Sequence, residues 1–326
     1  MKLMKRALIT LLFSLTYIIY GGAQIKSTFN FLKLPVSSHA AALGGENITI
    51  IEDDLTMAFH NPALLSCVAD KTINLNYMVY MDGIGTGSAA FSKTINDRSA
   101  WAIGAQFLGY GKIKQTDIDG HINGEFKAKD MAFMGIYNYD LSDYWSAGVT
   151  AKLIYSRYHE YTAFGIGVDL GLNYYNQESD FSASLVFKNL GGQIVAFDKK
   201  HELFPMDIQL GITKRLAHAP LRISITMPLL NDWKSMETED GKKQKFSTIL
   251  LNHFTLGLDF TPTENIYIAL GYNFRQGNEM KINGSSRWAG ISAGAGLQIK
   301  RFKLGASYAR YHAVGSSLLF NLAMSL

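Results

Sequence analysis

One cysteine, Cys67, stands among 326 residues, with six prolines. A lone thiol closes no internal disulfide, and Cys67 is expected to be a small buried residue. Two prolines, Pro35 and Pro62, fall near the N-terminus, while Pro205, Pro220, Pro228 and Pro262 fall where strands end or turn. At such places proline deprives no ladder of a hydrogen bond. Long apolar runs are missing beyond Tyr20, which excludes a spanning helix in the body of the chain, since one needs about 20 apolar residues. Excess charge is missing too. Removing Lys2, Lys5 and Arg6 from the 31 basic residues leaves 28 against 27 acidic ones, which argues against a nucleic-acid partner.

The start of the chain has the layout of an export signal. Lys2, Lys5 and Arg6 precede an apolar run from Ala7 to Tyr20, and Gly21-Gly22-Ala23 follows. Cleavage is expected after Ala23, giving a signal peptide over 1–23. With no cysteine near that site, lipoprotein processing is disfavoured.

What fills the rest is alternation. In 144–155, Trp145, Ala147, Val149, Ala151, Leu153 and Tyr155 share one face, and Ser146, Gly148, Thr150 and Lys152 share the other. The same period of two recurs at Phe254, Leu256, Leu258 and Phe260, at Ile266, Ile268, Leu270, Tyr272 and Phe274, and at Leu318, Phe320, Leu322, Met324 and Leu326. Strands with one apolar face read this way. About fourteen such segments follow residue 70: 71–81, 85–94, 99–112, 127–139, 144–157, 161–174, 180–189, 204–215, 221–228, 253–260, 266–275, 288–299, 302–311 and 317–326. The fold class expected is all-β, a transmembrane antiparallel barrel over 71–326. Tyr139, Tyr144, Trp145, Tyr158, Tyr267 and Trp288 lie near segment ends, where interfacial girdles sit.

Connections alternate in length. Short ones (95–98, 140–143, 175–179, 216–220, 261–265 and 300–301) take turns with a set containing the longer 116–126, 190–203, 229–252 and 276–287. Barrels of this kind keep short turns in the periplasm and long loops outside. The face opposite the apolar one is rich in Gly, Ser and Ala, as at Ser292, Gly294, Gly296, Gly305 and Ser307. Small inward residues suggest a lumen packed against something, and residues 24–70 are the available filler, a plug.

That segment is unlike the rest. FNFLKLPVSSHAAALGG, from Phe29, leads to IEDDLTMAFHNPALLS, ending at Ser66. Gly44 and Gly45 permit positive φ, and Asn61-Pro62 biases the chain toward a turn with Pro62 opening a short helix. Over these residues the chain resembles the PorQ family of type IX secretion outer-membrane proteins, with a looser likeness elsewhere that includes Lys188-Asn189-Leu190-Gly191-Gly192. That family in turn resembles the FadL-type barrels, in which an N-terminal segment carrying Asn-Pro-Ala plugs the lumen. The resemblance implies a non-enzymatic barrel anchoring a surface attachment complex. Its implied partners are the surface protein PorZ and, through it, the sortase-like PorU and the cargo-shuttling barrel PorV, with outer-membrane lipid around the wall. The alternative is a FadL-like transporter with a hydrophobic ligand in the barrel. No cofactor is implied.

Several motifs have competing readings. Gly290-Ile291-Ser292-Ala293-Gly294 fits a nucleophile elbow, but alternation continues where a helix should follow, so an inward strand serine is expected. Asp117 to Gly124 begins like a calcium loop, yet its glycine is misplaced and no glutamate closes it, so no metal site is expected. Glu52, Asp53 and Asp54 are read as a cation ligand set or a channel gate, a solvated turn, or partners for lumen cations such as Lys152. His60 has no His or Cys at metal spacing and is expected to hydrogen-bond the plug together with Asn61. Asp232, Lys234, Glu237, Glu239, Asp240, Lys242 and Lys243 form a mixed-charge loop, either solvated or a docking site for the partner.

Overall fold

The computed structural model describes residues 27–81, 83–198, 201–233, 245–279, 289–311 and 315–326. Fourteen strands, every neighbour antiparallel, close into one barrel: β1 (Thr72–Met81), β2 (Ile84–Asn96), β3 (Ser99–Thr116), β4 (Ile122–Asp140), β5 (Trp145–Tyr158), β6 (Tyr161–Asn176), β7 (Phe181–Val195), β8 (Asp207–Arg215), β9 (Leu221–Met227), β10 (Thr255–Thr263), β11 (Ile266–Asn273), β12 (Ile291–Ile299), β13 (Phe302–Ala309) and β14 (Ser317–Ser325). The seam is β1 on β14, in register from Thr72 opposite Ser325 to Val79 opposite Leu318. Closure leaves no strand edge unpaired, which a wall in hydrocarbon demands.

Alternation sets the two faces. Leu153, Leu256, Leu258, Phe260, Leu318, Phe320 and Leu322 are exposed on the outside, while Thr150, Lys152, Ser156, Asp259 and Asn321 between or beside them are buried inside. Tyr137, Tyr139, Tyr144 and Trp145 are exposed at one end of β4 and β5, as a girdle requires. Two aromatics depart from that expectation. Tyr267 turns inward and stacks on His39, and the hydroxyl of Tyr158 donates to the inward carboxylate of Asp130 at 2.8 Å. Trp288 lies outside the described residues.

The connections 97–98, 141–144, 177–180, 216–220, 264–265 and 300–301 share the end where β1 begins and β14 ends. The opposite end carries 196–206, 228–254 and 274–290, and is the outer end by the length rule. Two expected loops are shorter than read from sequence. β3 and β4 pair beyond the apolar band, Lys112 opposite Lys127 and Gln115 opposite Gly124, so 116–126 shrinks to the turn 117–121. β7 likewise continues through Gly191-Gly192 to Val195. At the outer end stand two short helices, α2 (Phe246–Asn252) and α3 (Phe274–Glu279).

Residues 27–70 run lengthwise against the inner wall. Thr28 N–H donates to Leu203 O at the outer end, and Leu326 N–H donates to Lys71 O at the periplasmic end. Between them lie a 3-10 turn (Asn30–Lys33), the helix α1 (Ser38–Ala42), and two further 3-10 turns (Leu55–Phe59 and Pro62–Cys67). The apolar core is therefore luminal. Phe29, Phe31, Leu55, Phe59 and Leu65 pack against the wall residues Ala102, Leu108, Ala132, Met134, Ile136 and Ile154.

Candidate functional site

Two wall glycines show how closely the N-terminal segment is seated. A Cβ on Gly148 would overlap the backbone of Pro62, and a Cβ on Gly271 would overlap the backbone of Leu43 and Gly44. Small inward residues are thus the imprint of a second piece of chain. Gly44 and Gly45 turn away from α1 with φ of 94° and 90°, which residues with a Cβ rarely adopt. Ser292 pins that turn. Its hydroxyl donates to Ala42 O at 2.7 Å and accepts from Gly44 N–H at 2.9 Å, so the serine of the elbow-like motif is a strut on β12.

The periplasmic half is held by Asn61 and Pro62. Asn61 Oδ1 accepts from Ala63 N–H at 3.0 Å, capping the turn that Pro62 opens, and Asn61 Nδ2 donates to Ile48 O at 3.0 Å. His60 Nε2 faces the N–H groups of Val36 and Ser37 at 3.3 and 3.4 Å. Burial, with Lys188 and Lys152 nearby, pushes His60 well below its ordinary value and keeps the ring neutral.

The three acids have three different partners, and none of these is Lys152. Glu52 lies 2.8 Å from His39 Nδ1 and 4.0 Å from Arg222. Asp53 pairs with Lys303 and accepts from Ala69 N–H at 2.7 Å. Asp54 caps Leu55–Phe59 through Thr56 N–H at 2.9 Å and accepts from the Ser37 hydroxyl. Lys152 is instead buried against Asp169 at 2.6 Å and Asn189 at 2.8 Å.

The strongest electrostatic feature was missed by the sequence reading. His39, on α1, sits between two carboxylates: Nδ1 faces Glu52, and Nε2 lies 2.6 Å from Asp259 on β10. Its ring stacks on Tyr267 at 3.7 Å. Arg222 on β9 closes the group, with Nε 3.0 Å from Asp259. Burial disfavours a charge on His39, but Glu52 and Asp259 outweigh it and hold its pKa up to about 9. Two cations thus meet two anions across the boundary between segment and wall. Sequence held one usable signal: in a strand whose Leu256, Leu258 and Phe260 face lipid, Asp259 must face inward.

Elsewhere, Asp117, Asp119 and His121 cluster on the exposed β3–β4 turn, with ligand atoms within 4.8 Å of one another. Asp117 accepts from the N–H groups of Asp119 and His121 at 3.1 and 2.8 Å, as a tight turn does. Of the charged loop, Asp232 stands beside the outer mouth, its N–H donating to Leu229 O; Lys234, Glu237, Glu239, Asp240, Lys242 and Lys243 lie outside the described residues.

No protein-family model matches the chain, and no curated protein matches it. Solved structures do. The Ralstonia pickettii toluene transporter TbuX superposes with a TM-score of 0.55 at 12% identity, covering 89% of this chain and 96% of that one. The Pseudomonas putida toluene transporter TodX gives 0.55 at 12%, covering 89% and 97%. A Pseudomonas aeruginosa FadL homologue gives 0.51 at 10%, covering 88% and 97%. At this identity the likeness is one of fold, and the fold is that of FadL-like outer-membrane barrels.

Proposed function

We propose that the protein is an outer-membrane barrel that passes a hydrophobic small molecule past its luminal N-terminal segment. One observation carries this reading: a fourteen-strand wall of the same architecture as known toluene transporters, filled by residues 27–70. The cavity beside the segment measures about 20 Å³, too small for an aromatic ring or an acyl chain. Passage through this cavity requires the segment to shift. Ser38 on α1 faces Gly305 on β13 closely enough for a crosslink. In a Cys67→Ser background, Ser38→Cys with Gly305→Cys should give a disulfide that stops uptake of a radiolabelled aromatic hydrocarbon or long-chain fatty acid into proteoliposomes, and reduction should restore it. Equal uptake in both redox states would sink the reading.

The second reading is the type IX anchor, which rests on the resemblance over Phe29–Ser66 and on the outer end of the barrel. There the longest connection, 228–254, carries the exposed side chains of Phe246, Leu250 and Leu251. An anchor would retain a PorZ-like protein, and with it PorU and PorV, on co-purification from detergent-solubilised outer membranes. Shortening 229–252 would release that protein while leaving uptake unchanged.

A further inference from the structure

The small luminal cavity has a chemistry of its own. It is lined by Lys33, Glu46, His60, Gln106, Lys152 and Lys188, with apolar side chains closing the remainder. His60 is 4% exposed, and its Nδ1 has no hydrogen-bond partner. The other ring nitrogen, Nε2, accepts from the main-chain N–H groups of Val36 and Ser37, so the neutral ring carries its proton on Nδ1. The orphan atom is therefore a buried donor. Among the described residues, no hydrogen bond or ion pair engages the ammonium groups of Lys188, half-buried on β7, or Lys33, exposed at the cavity's rim. Lys152 has Asp169 and Asn189.

Glu46 is the carboxylate on this lining, and its Oε2 already accepts from Gln209 Nε2 at 2.9 Å. It forms no ion pair with either free lysine. Burial and the neighbouring Asp207 push the Glu46 pKa up against the pull of Lys188 and Lys33, so Glu46 acts on the two lysines from beyond ion-pair distance and as a weakened counter-charge. The lining thus offers three unused N–H donors from two pieces of chain, Lys33 and His60 on the segment and Lys188 on the wall. A ligand that only accepts hydrogen bonds suits such a surface better than water, which must also donate. Size narrows the class: about 20 Å³ holds one water-sized species, which excludes a carboxylate with an alkyl chain.

We propose that this cavity binds a monatomic anion of the halide class, held by His60 Nδ1–H, Lys188 and Lys33. The anion bridges the N-terminal segment to β7, and the exposed Lys33 marks its way in from the outer end. This site stands whether the barrel transports or anchors.

The probe is sodium bromide applied to the full chain purified in detergent. Crystals soaked in it should show an anomalous peak in the cavity, within hydrogen-bonding reach of His60 Nδ1 and Lys188 Nζ. In solution, bromide should raise the thermal midpoint saturably over sodium gluconate at equal ionic strength. Lys188→Met should weaken bromide half-saturation about tenfold or more, since a hydrogen bond to a charged group is lost. Lys33→Met, at the exposed rim, gives an independent variant should Lys188→Met fold poorly, and Lys214→Met near the periplasmic end of β8 should change nothing. Density for water alone, or half-saturation by bromide that is the same in wild type, Lys188→Met and Lys33→Met, would overturn the proposal.

Discussion

At the scale of single residues, the lumen is organised by charges that meet across the sequence. His39 and Asp259 are 220 positions apart, and nothing local in Ser38-His39-Ala40-Ala41-Ala42 announces the partner. Asn61 was legible because capping is local: an Asn before Pro-Ala can serve only the next few N–H groups and whatever carbonyl its amide reaches. Asn61→Leu removes both bonds and drives a branched side chain toward Gly171, whose own Cβ would already overlap Asn61 Oδ1. Each orphaned buried group costs about 1–3 kcal/mol, so the yield of folded, heat-modifiable barrel should fall. Normal abundance of Asn61→Leu would show that the cap is dispensable. His39 makes a pH prediction. Its pKa rises from 6.5 to about 9 on folding, so the folded state holds the proton more tightly. Its contribution is complete below 6.5 and is lost as pH climbs through about 9. His39→Gln should flatten this alkaline decline in unfolding midpoints and cost about 3–5 kcal/mol at neutral pH, because it leaves Glu52 and Asp259 with Arg222 alone. A variant with the wild-type alkaline profile would assign the decline elsewhere.

At the scale of elements, the strands were readable wherever lipid enforces alternation. Their ends were not. β3 and β4 pair for several residues past the apolar band, where Lys112, Lys114, Glu125 and Lys127 make the outward face charged, so the lipid-facing half of the alternation no longer marks the strand. β11 ends at Asn273 because Phe274–Glu279 turns into a helix, which period-two counting reads as more strand. Inward glycines carry information of another kind, since they state where the segment presses. Gly271→Ala sets a Cβ against the backbone of Leu43 and Gly44, which cannot yield as a flexible side chain would. Overpacking of this sort costs about 1–3 kcal/mol. Gly135→Ala, with nothing within 4 Å of the new atom, is the matched control on β4. Proteolysis of the segment should accelerate in the first variant and stay at the wild-type rate in the second; equal rates would mean that the wall gives way rather than the segment.

At the scale of the whole molecule, wall and filling have separate sources of stability. The wall closes on itself through β1 and β14, and no strand pairing runs through residues 27–70; their β-bridge, Ser27 with Leu203, lies outside the named strands. The filling instead satisfies what the wall leaves open. Lys303 needs Asp53, Asp259 shares His39, and Met134, Ile136 and Ile154 turn apolar surface toward a lumen that would otherwise be wet. Deleting 27–66 should therefore leave a barrel that still assembles, with a lower thermal midpoint and a water-filled lumen edged by freed charge. Ion conductance across a planar bilayer is the direct reading of that state, because the intact chain keeps its lumen packed from Phe29 to Leu65. The truncated barrel should conduct steadily where the full chain stays closed. Silence from a truncated barrel that is demonstrably folded and inserted would mean that the outer connections 196–206, 228–254 and 274–290 close the mouth on their own, and the N-terminal segment would lose its role as the barrier.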